Sequence, residues 1–195
     1  QKRDFFWKND LYFCQKSITP SNIDSIIKSY GFHKDCNLLS IDIDGNDYWV
    51  LKNIDVSSID IVVAEYNPIF GSNLSLTVPQ DDYFDRHKLN KIFYGASISA
   101  MIELMESKKF MFIGANRACN NAFFINRKKQ NLFPNVAVEE LKEYTNFTFR
   151  EIKKNSPQEN YISNLISKIE NFDIYDLNRK KILKVKEIKN KLFND

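Results

Sequence analysis

Glycine is scarce: five in 195 residues, at 31, 45, 71, 95 and 114, with no two close enough to build a phosphate-cradling loop. Neither GxGxxG nor the P-loop pattern occurs, which excludes a self-contained dinucleotide-binding unit or a kinase from this stretch of chain. Cysteine is limited to Cys14, Cys36 and Cys119, odd in number and without a CxxC pair. A disulfide framework and a zinc site are both disfavoured, and the three read as reduced, mostly buried thiols. No apolar run approaches the roughly 18 residues a membrane helix needs, and the first ten residues carry charge where a signal peptide has its apolar core. The chain therefore reads as soluble and cytoplasmic, with no membrane partner. Charge of one sign is also lacking: 28 basic against 25 acidic residues leave +3, spread too evenly to argue for nucleic acid. Histidine is confined to His33 and His87, dispersed from serine and cysteine, so a nucleophilic triad has no local support. What remains, 43% apolar and 27% charged residues at this length, is the material of one α/β-sized globular domain.

Several elements are legible from pattern. Thr19-Pro20 is a helix start, Ile23, Ile26, Ile27 and Tyr30 recur at helical spacing, and Gly31 stands where a helix stops. Residues 38–45, LLSIDIDG, form an apolar run that turns acidic at its end, as a buried parallel strand does on reaching solvent. Asn46-Asp47 is a cap for a short helix over 48–54, and residues 59–66, IDIVVAEY, repeat the buried-strand pattern. Strand, helix, strand predicts a right-handed parallel crossover. Residues 67–91 read as a long polar loop of the kind that forms a lid or substrate loop. A helix is expected over 97–109 with Ile98, Met101, Ile102 and Met105 inward, then two antiparallel strands over 110–115 and 121–126. Further helices are expected over 136–144 and, strongly charged, over 159–193. The run 179–191 holds seven Lys and Arg against Glu187 alone and reads as a solvated helix face, with a membrane-surface or nucleic-acid patch as the alternative.

In an open α/β sheet, ligands bind beyond the carboxyl ends of the parallel strands. One such end offers Asp42, Asp44, Asn46 and Asp47, the other Glu65 and Asn67. Neighbouring strands lie about 4.8 Å apart, so these side chains can converge. Asp44, Glu65 and Asn67 would suit Mg²⁺, a hard cation that takes oxygen ligands and keeps several waters. Two other readings stay open: Asp42 bonding a nearby backbone while Asp44 and Asn46 shape the turn at Gly45, or Asp42 and Asp44 acting directly as ligands or bases. A close carboxylate cluster also raises at least one pKa toward the range of a general base. His87, in the long loop, could swing over the site as a base; His33 lies at the far end of its strand and reads as structural.

Five segments, LLSIDIDGNDYWVLKNI, IVVAEYNPIFG, TVPQDD, YGASISAMIELMESKKF and MFIGANRACNNAFFINR, resemble, in this order, the C-terminal half of FkbM-type S-adenosylmethionine-dependent methyltransferases. The likeness is strongest to a bacterial branch with an SIDIDGNDYW-like segment, and covers residues 19–127. Asp42, Asp44 and Gly45 match the family's Asp-x-Glu-Gly, with Asp in place of Glu; Asp47 matches its next acidic residue and Glu65 the acidic end of its fifth strand. The resemblance implies a three-layer Rossmann-like sheet in the order 3-2-1-4-5-7-6 with the seventh strand antiparallel. On that template residues 11–14 are strand three, and strands one and two, needing roughly 60 residues, have no place before residue 11. Residues 1–130 are then a partial methyltransferase domain and 131–195 a C-terminal helical extension. The open edge of the LLSIDID strand is expected to be covered by the N-terminal segment or by a second copy of the chain in a homodimer.

The resemblance further implies methyl transfer from S-adenosylmethionine, touching Asp42, Asp44 and Gly45, to a hydroxyl of a sugar or secondary metabolite. Asp42, Asp44 and His87 would serve the chemistry, aided by Mg²⁺ on Asp44, Glu65 and Asn67, while the 67–91 loop shapes the acceptor pocket. The competing expectations are a non-catalytic Rossmann-like binding module and a Mg²⁺-dependent hydrolase.

Overall fold

The computed structural model of the chain describes residues 13–32, 36–132 and 158–192. The expected helix over 136–144, His33, and two residues of the expected strand at 11–14 lie outside them; Phe13 and Cys14, which are described, belong to no strand. Helix α1 (Ile23–Ser29) begins one turn later than Thr19-Pro20 suggests. The Asn22 side chain bonds back to Thr19 N and Ser17 O, which holds residues 19–22 as turns ahead of the helix. Gly31 follows at φ 79°, the left-handed conformation that ends helices.

Strand β1 (Leu38–Ile41), helix α2 (Asp47–Asn53) and strand β2 (Ile61–Glu65) form the expected crossover, with β1 and β2 parallel and Leu38 opposite Ile61. After a short strand β3 (Leu76–Thr77) and a four-residue helix α3 (Arg86–Leu89), helix α4 (Ile98–Ser107) leads into strands β4 (Phe110–Ala115) and β5 (Asn121–Asn126). The latter two pair antiparallel, as the polar turn between them predicts. The resulting sheet is mixed and ordered β1-β2-β5-β4. One face carries Val62, Ala64, Phe112, Ala122 and Phe124, all buried under α2 and α4, whose Leu51, Met101 and Met105 are fully enclosed. Residues i and i+2 of a strand share a face, so the opposite side shows Ile61, Val63, Met111 and Phe123, each half-buried. Among the described residues the layering is thus helix on sheet on one face. The outer edge of β1 pairs with no described strand; residues 1–12, one of the two covers expected for it, lie outside the described residues.

Two expectations are corrected. The first is the helix over 159–193: α5 (Gln158–Ser167) stops early, and strands β6 (Asp173–Asp176) and β7 (Lys181–Lys184) form a hairpin before a last helical turn, α6 (Val185–Ile188). Ile174 and Asp176 point inward with period two, a strand signal that the dense charge hides. The hairpin turn contains no glycine; Lys180 takes its left-handed position at φ 53°. The second is the "polar loop" 67–91. Its Ile69, Phe70, Leu76 and Val78, with the following Phe93, are buried against Ile166, Ile169, Ile174, Val185 and Ile188 as a second core. β3 joins β6 and β7 in a three-stranded antiparallel sheet, ordered β3-β6-β7. Of the cysteines, Cys119 is buried whereas Cys14 and Cys36 are only half so, and none of the three is in a disulfide. No helix among the described residues is long and apolar enough to cross a membrane.

The two cores meet at Ser97. This fully buried N-cap of α4 accepts from Ala100 N (3.2 Å) and Leu76 N (3.0 Å) and donates to Leu74 O (2.7 Å). Ser97→Ala leaves two buried N–H groups and a carbonyl short of partners, with an expected loss of about 2–3 kcal/mol. Urea denaturation checks it; an unchanged midpoint would show that the cap carries no such energy.

Candidate acidic site at the carboxyl ends of β1 and β2

The site is organised by a residue that is not displayed in it. Asp47, at the first turn of α2, is completely buried, and its carboxylate accepts hydrogen bonds from Ile43 N and Gly45 N, both 2.9 Å. Those two bonds fold the chain leaving β1 into a tight turn and project Asp42 and Asp44 outward. Asp44 sits at φ 59°, a left-handed conformation that Asp tolerates better than most residues. Asn46 occupies the N-cap position, yet its side chain makes no capping bond to the helix; it reaches across to the backbone of Asp81 in the loop. The adjacent Gly45 is buried beneath the Phe84 ring, and a Cβ there would lie 2.2 Å from a ring carbon. Gly45 is therefore required by close packing of the loop, and the face it would offer a ligand is covered.

β2 delivers Glu65 next to this turn. Carboxylate oxygens of Asp42, Asp44 and Glu65 all lie within 4.8 Å of one another. Asp42 is exposed, Asp44 half-buried, and Glu65 only 5% exposed, with Oε2 lacking a hydrogen-bond partner among the described residues. Burial, then the negative charges of Asp47, Asp42 and Asp44, push the Glu65 carboxyl up to about 8, partly offset by Arg86. Burial likewise raises Asp47 against the lowering effect of its backbone hydrogen bonds. Glu65 is thus a carboxyl group that keeps its proton well above the usual carboxylate range.

Asn67, expected as a third ligand, has its side-chain amide engaged within the loop. Its Oδ1 accepts from Ile69 N, and its Nδ2 donates to Ile92 O and Tyr94 O, which ties the loop's two ends together. His87 is exposed on α3, and its backbone N–H is capped by Asp85. The loop residue that meets the acidic group is its neighbour Arg86, whose Nη1 lies 2.7 Å from Asp44 Oδ1 and whose guanidinium packs over the Tyr94 ring at 4.7 Å from its centroid. Sequence reasoning missed both Arg86 and Tyr94. Asp85, a recognisable N-cap, was the signal available: it starts a helix on which consecutive side chains diverge by about 100°, so 86 and 87 cannot both face the site.

Chemically, the cluster offers three convergent carboxylate groups, one of them buried and able to hold a proton, faced by a single guanidinium. It can accept hydrogen bonds from hydroxyl groups, hold a hard cation, or take up a proton. No family model matches the chain, and neither does any curated protein or solved structure compared with it.

Proposed function

We propose that the chain carries the acceptor-binding side of an S-adenosylmethionine-dependent O-methyltransferase with a Rossmann-like sheet, acting on a hydroxyl of a sugar or other metabolite. The observation that carries this reading is Glu65: a buried carboxylate with an unpartnered oxygen, at the carboxyl end of one of two adjacent parallel strands and beside Asp42 and Asp44. The order β1-β2-β5-β4, with β5 antiparallel to its neighbours, supports it as well, since it is the 4-5-7-6 portion of the sheet that the resemblance implies.

S-adenosylmethionine carries a positive sulfonium, which the negative charge of Asp42 and Asp44 suits; Gly45, under Phe84, does not fit a contact with it. Bound there, it supplies an electrophilic methyl group. The chain's own residues do the rest. Asp42 and Asp44 accept hydrogen bonds from the acceptor and fix its orientation, and Glu65 Oε2 receives the hydroxyl proton as the oxygen gains the methyl group. Asp42, Asp44 and Glu65 also fit Mg²⁺ as an all-oxygen donor set; the ion would supply charge that favours an acceptor alkoxide. The same donor set is the observation that favours the second reading, a Mg²⁺-dependent hydrolase.

Calorimetric titration with S-adenosylmethionine, and incubation with methyl-labelled S-adenosylmethionine over a panel of sugars and hydroxylated metabolites, test the proposal. Micromolar binding and label transfer lost in Glu65→Gln are expected. A heat-silent titration would remove the reading, and metal-dependent phosphate-ester cleavage lost in Asp44→Asn would replace it with hydrolysis.

A further inference from the structure

The charge of the acidic site is unbalanced in a particular way. Three carboxylates converge, yet among the described residues the one ion pair to any of them is Arg86 to Asp44. No ion pair reaches Asp42 or Glu65 among the described residues, and Glu65 Oε2 has no hydrogen-bond partner although the residue is 95% removed from solvent by its 5% exposure. An enclosed carboxylate oxygen aimed into a cluster of like charge is costly unless a proton or another cation joins it, and a cation that displaces the proton gains all three carboxylates at once.

Arg86 is poorly committed to that task. The strongest guanidinium–carboxylate pairs present two parallel donors to one carboxylate. Here a single Nη1 contact is made, to a residue whose side chain is half-exposed, while the buried Nε has no hydrogen-bond partner among the described residues. The group rests on the Tyr94 ring and is carried by α3, a four-residue helix whose own side chains are nowhere fully buried. By contrast the carboxylates are held by β1, β2 and the Asp47-pinned turn, and the rest of the loop is fastened separately, through Asn46 to Asp81 and Phe84 over Gly45. The acids are presented by strands and a pinned turn, and the cation that faces them by a four-residue helix with no buried side chain.

We propose that Asp42, Asp44 and Glu65 form a divalent-cation site and that Arg86 is its resident counter-charge, released when the cation binds. The inference deepens the site reading above but is independent of methyl transfer. A doubly charged, oxygen-preferring ion such as Mg²⁺, Mn²⁺ or Ca²⁺ reaches all three carboxylates at once, which one guanidinium donor cannot, and water completes its shell. Arg86 and the ion then compete for Asp44, so each weakens the other's hold. Release of Arg86 takes α3 off the site and opens the acidic cleft to an acceptor.

The test uses the full chain after chelation, without S-adenosylmethionine or acceptor, so its failure and that of the methyl-transfer reading are separable. Mn²⁺ is titrated by electron paramagnetic resonance with Mg²⁺ and Ca²⁺ as competitors. One ion per chain is expected, bound roughly tenfold more tightly by Arg86→Gln and at least as much more weakly by Glu65→Gln. Amide exchange supplies a second readout needing no variant: Ca²⁺ should accelerate exchange of His87, Lys88 and Leu89, whose N–H groups bond to Asp85 within α3. Equal affinity in wild type and Arg86→Gln, absence of Mn²⁺ binding in both, or unchanged exchange in α3 on saturation would overturn the proposal.

Discussion

Glu65→Gln is expected to stabilise the chain above pH 8 and to remove most of a stability loss that the wild type shows between about pH 5 and pH 8. In the fold the Glu65 carboxyl titrates near 8, against 4.5 for the free side chain, because burial and then Asp47, Asp42 and Asp44 disfavour its charge. A raised carboxyl pKa means that the native state holds a proton the unfolded chain has already released. Stability therefore falls as pH rises through that window, and is fully present only below it. Each unit of difference is about 1.4 kcal/mol, so the whole effect is on the order of 3–5 kcal/mol, a large share of a domain's stability. Gln keeps the shape and cannot ionise. Chemical denaturation in a chelating buffer at pH 5, 7 and 9 should give curves that coincide at pH 5 and diverge upward for the variant. Asp47, which burial shifts in the same direction, contributes to the residual slope of the variant. Parallel curves would mean that Glu65 is solvated in solution and that the site is more open than it is in this structure.

Asp47→Ala should be the second large effect, about 2–4 kcal/mol of destabilisation. Two N–H groups, of Ile43 and buried Gly45, lose their only acceptor oxygens in the turn, each an unsatisfied donor costing roughly 1–3 kcal/mol. Relief of a buried carboxylate returns part of this, which is why the sum is not larger. The variant also removes the largest single charge acting on Glu65, so the pH-dependent fall described for the wild type should move to lower pH. Urea midpoints across pH check both parts together. Full stability with an unmoved pH profile would show that Asp47 organises neither the turn nor the electrostatics.

These two residues also mark how far the sequence could be read. That acids at the ends of LLSIDID and IVVAEY converge follows from parallel pairing alone, and Asp42, Asp44 and Glu65 do lie together. Which acid is exposed and which is interior does not follow, because Asp47 is three residues from Asp44 and looks no different until α2 turns it under the sheet. Asn67 had the right position and chemistry for a ligand; its Oδ1, the atom a cation would take, accepts from Ile69 N, while its Nδ2 holds the loop carbonyls of Ile92 and Tyr94.

By itself the sequence determined the elements whose stabilising pattern is local: the 98–107 helix with its inward Met101 and Met105, the parallel pair around a short helix, and the antiparallel hairpin at its tight polar turn. Period and turn chemistry are short-range properties, so they survive without knowledge of neighbours. Only the tertiary structure decided that residues 67–97 and 158–192 form a joint second core, since Ile69, Phe70 and Phe93 have no period of their own and gain order from Ile166, Ile174 and Val185 about a hundred residues away. The same long-range folding sets Arg86 rather than His87 against Asp44, and leaves one oxygen of Glu65 enclosed without a partner, because the direction of a side chain in a loop is set by what the loop packs against.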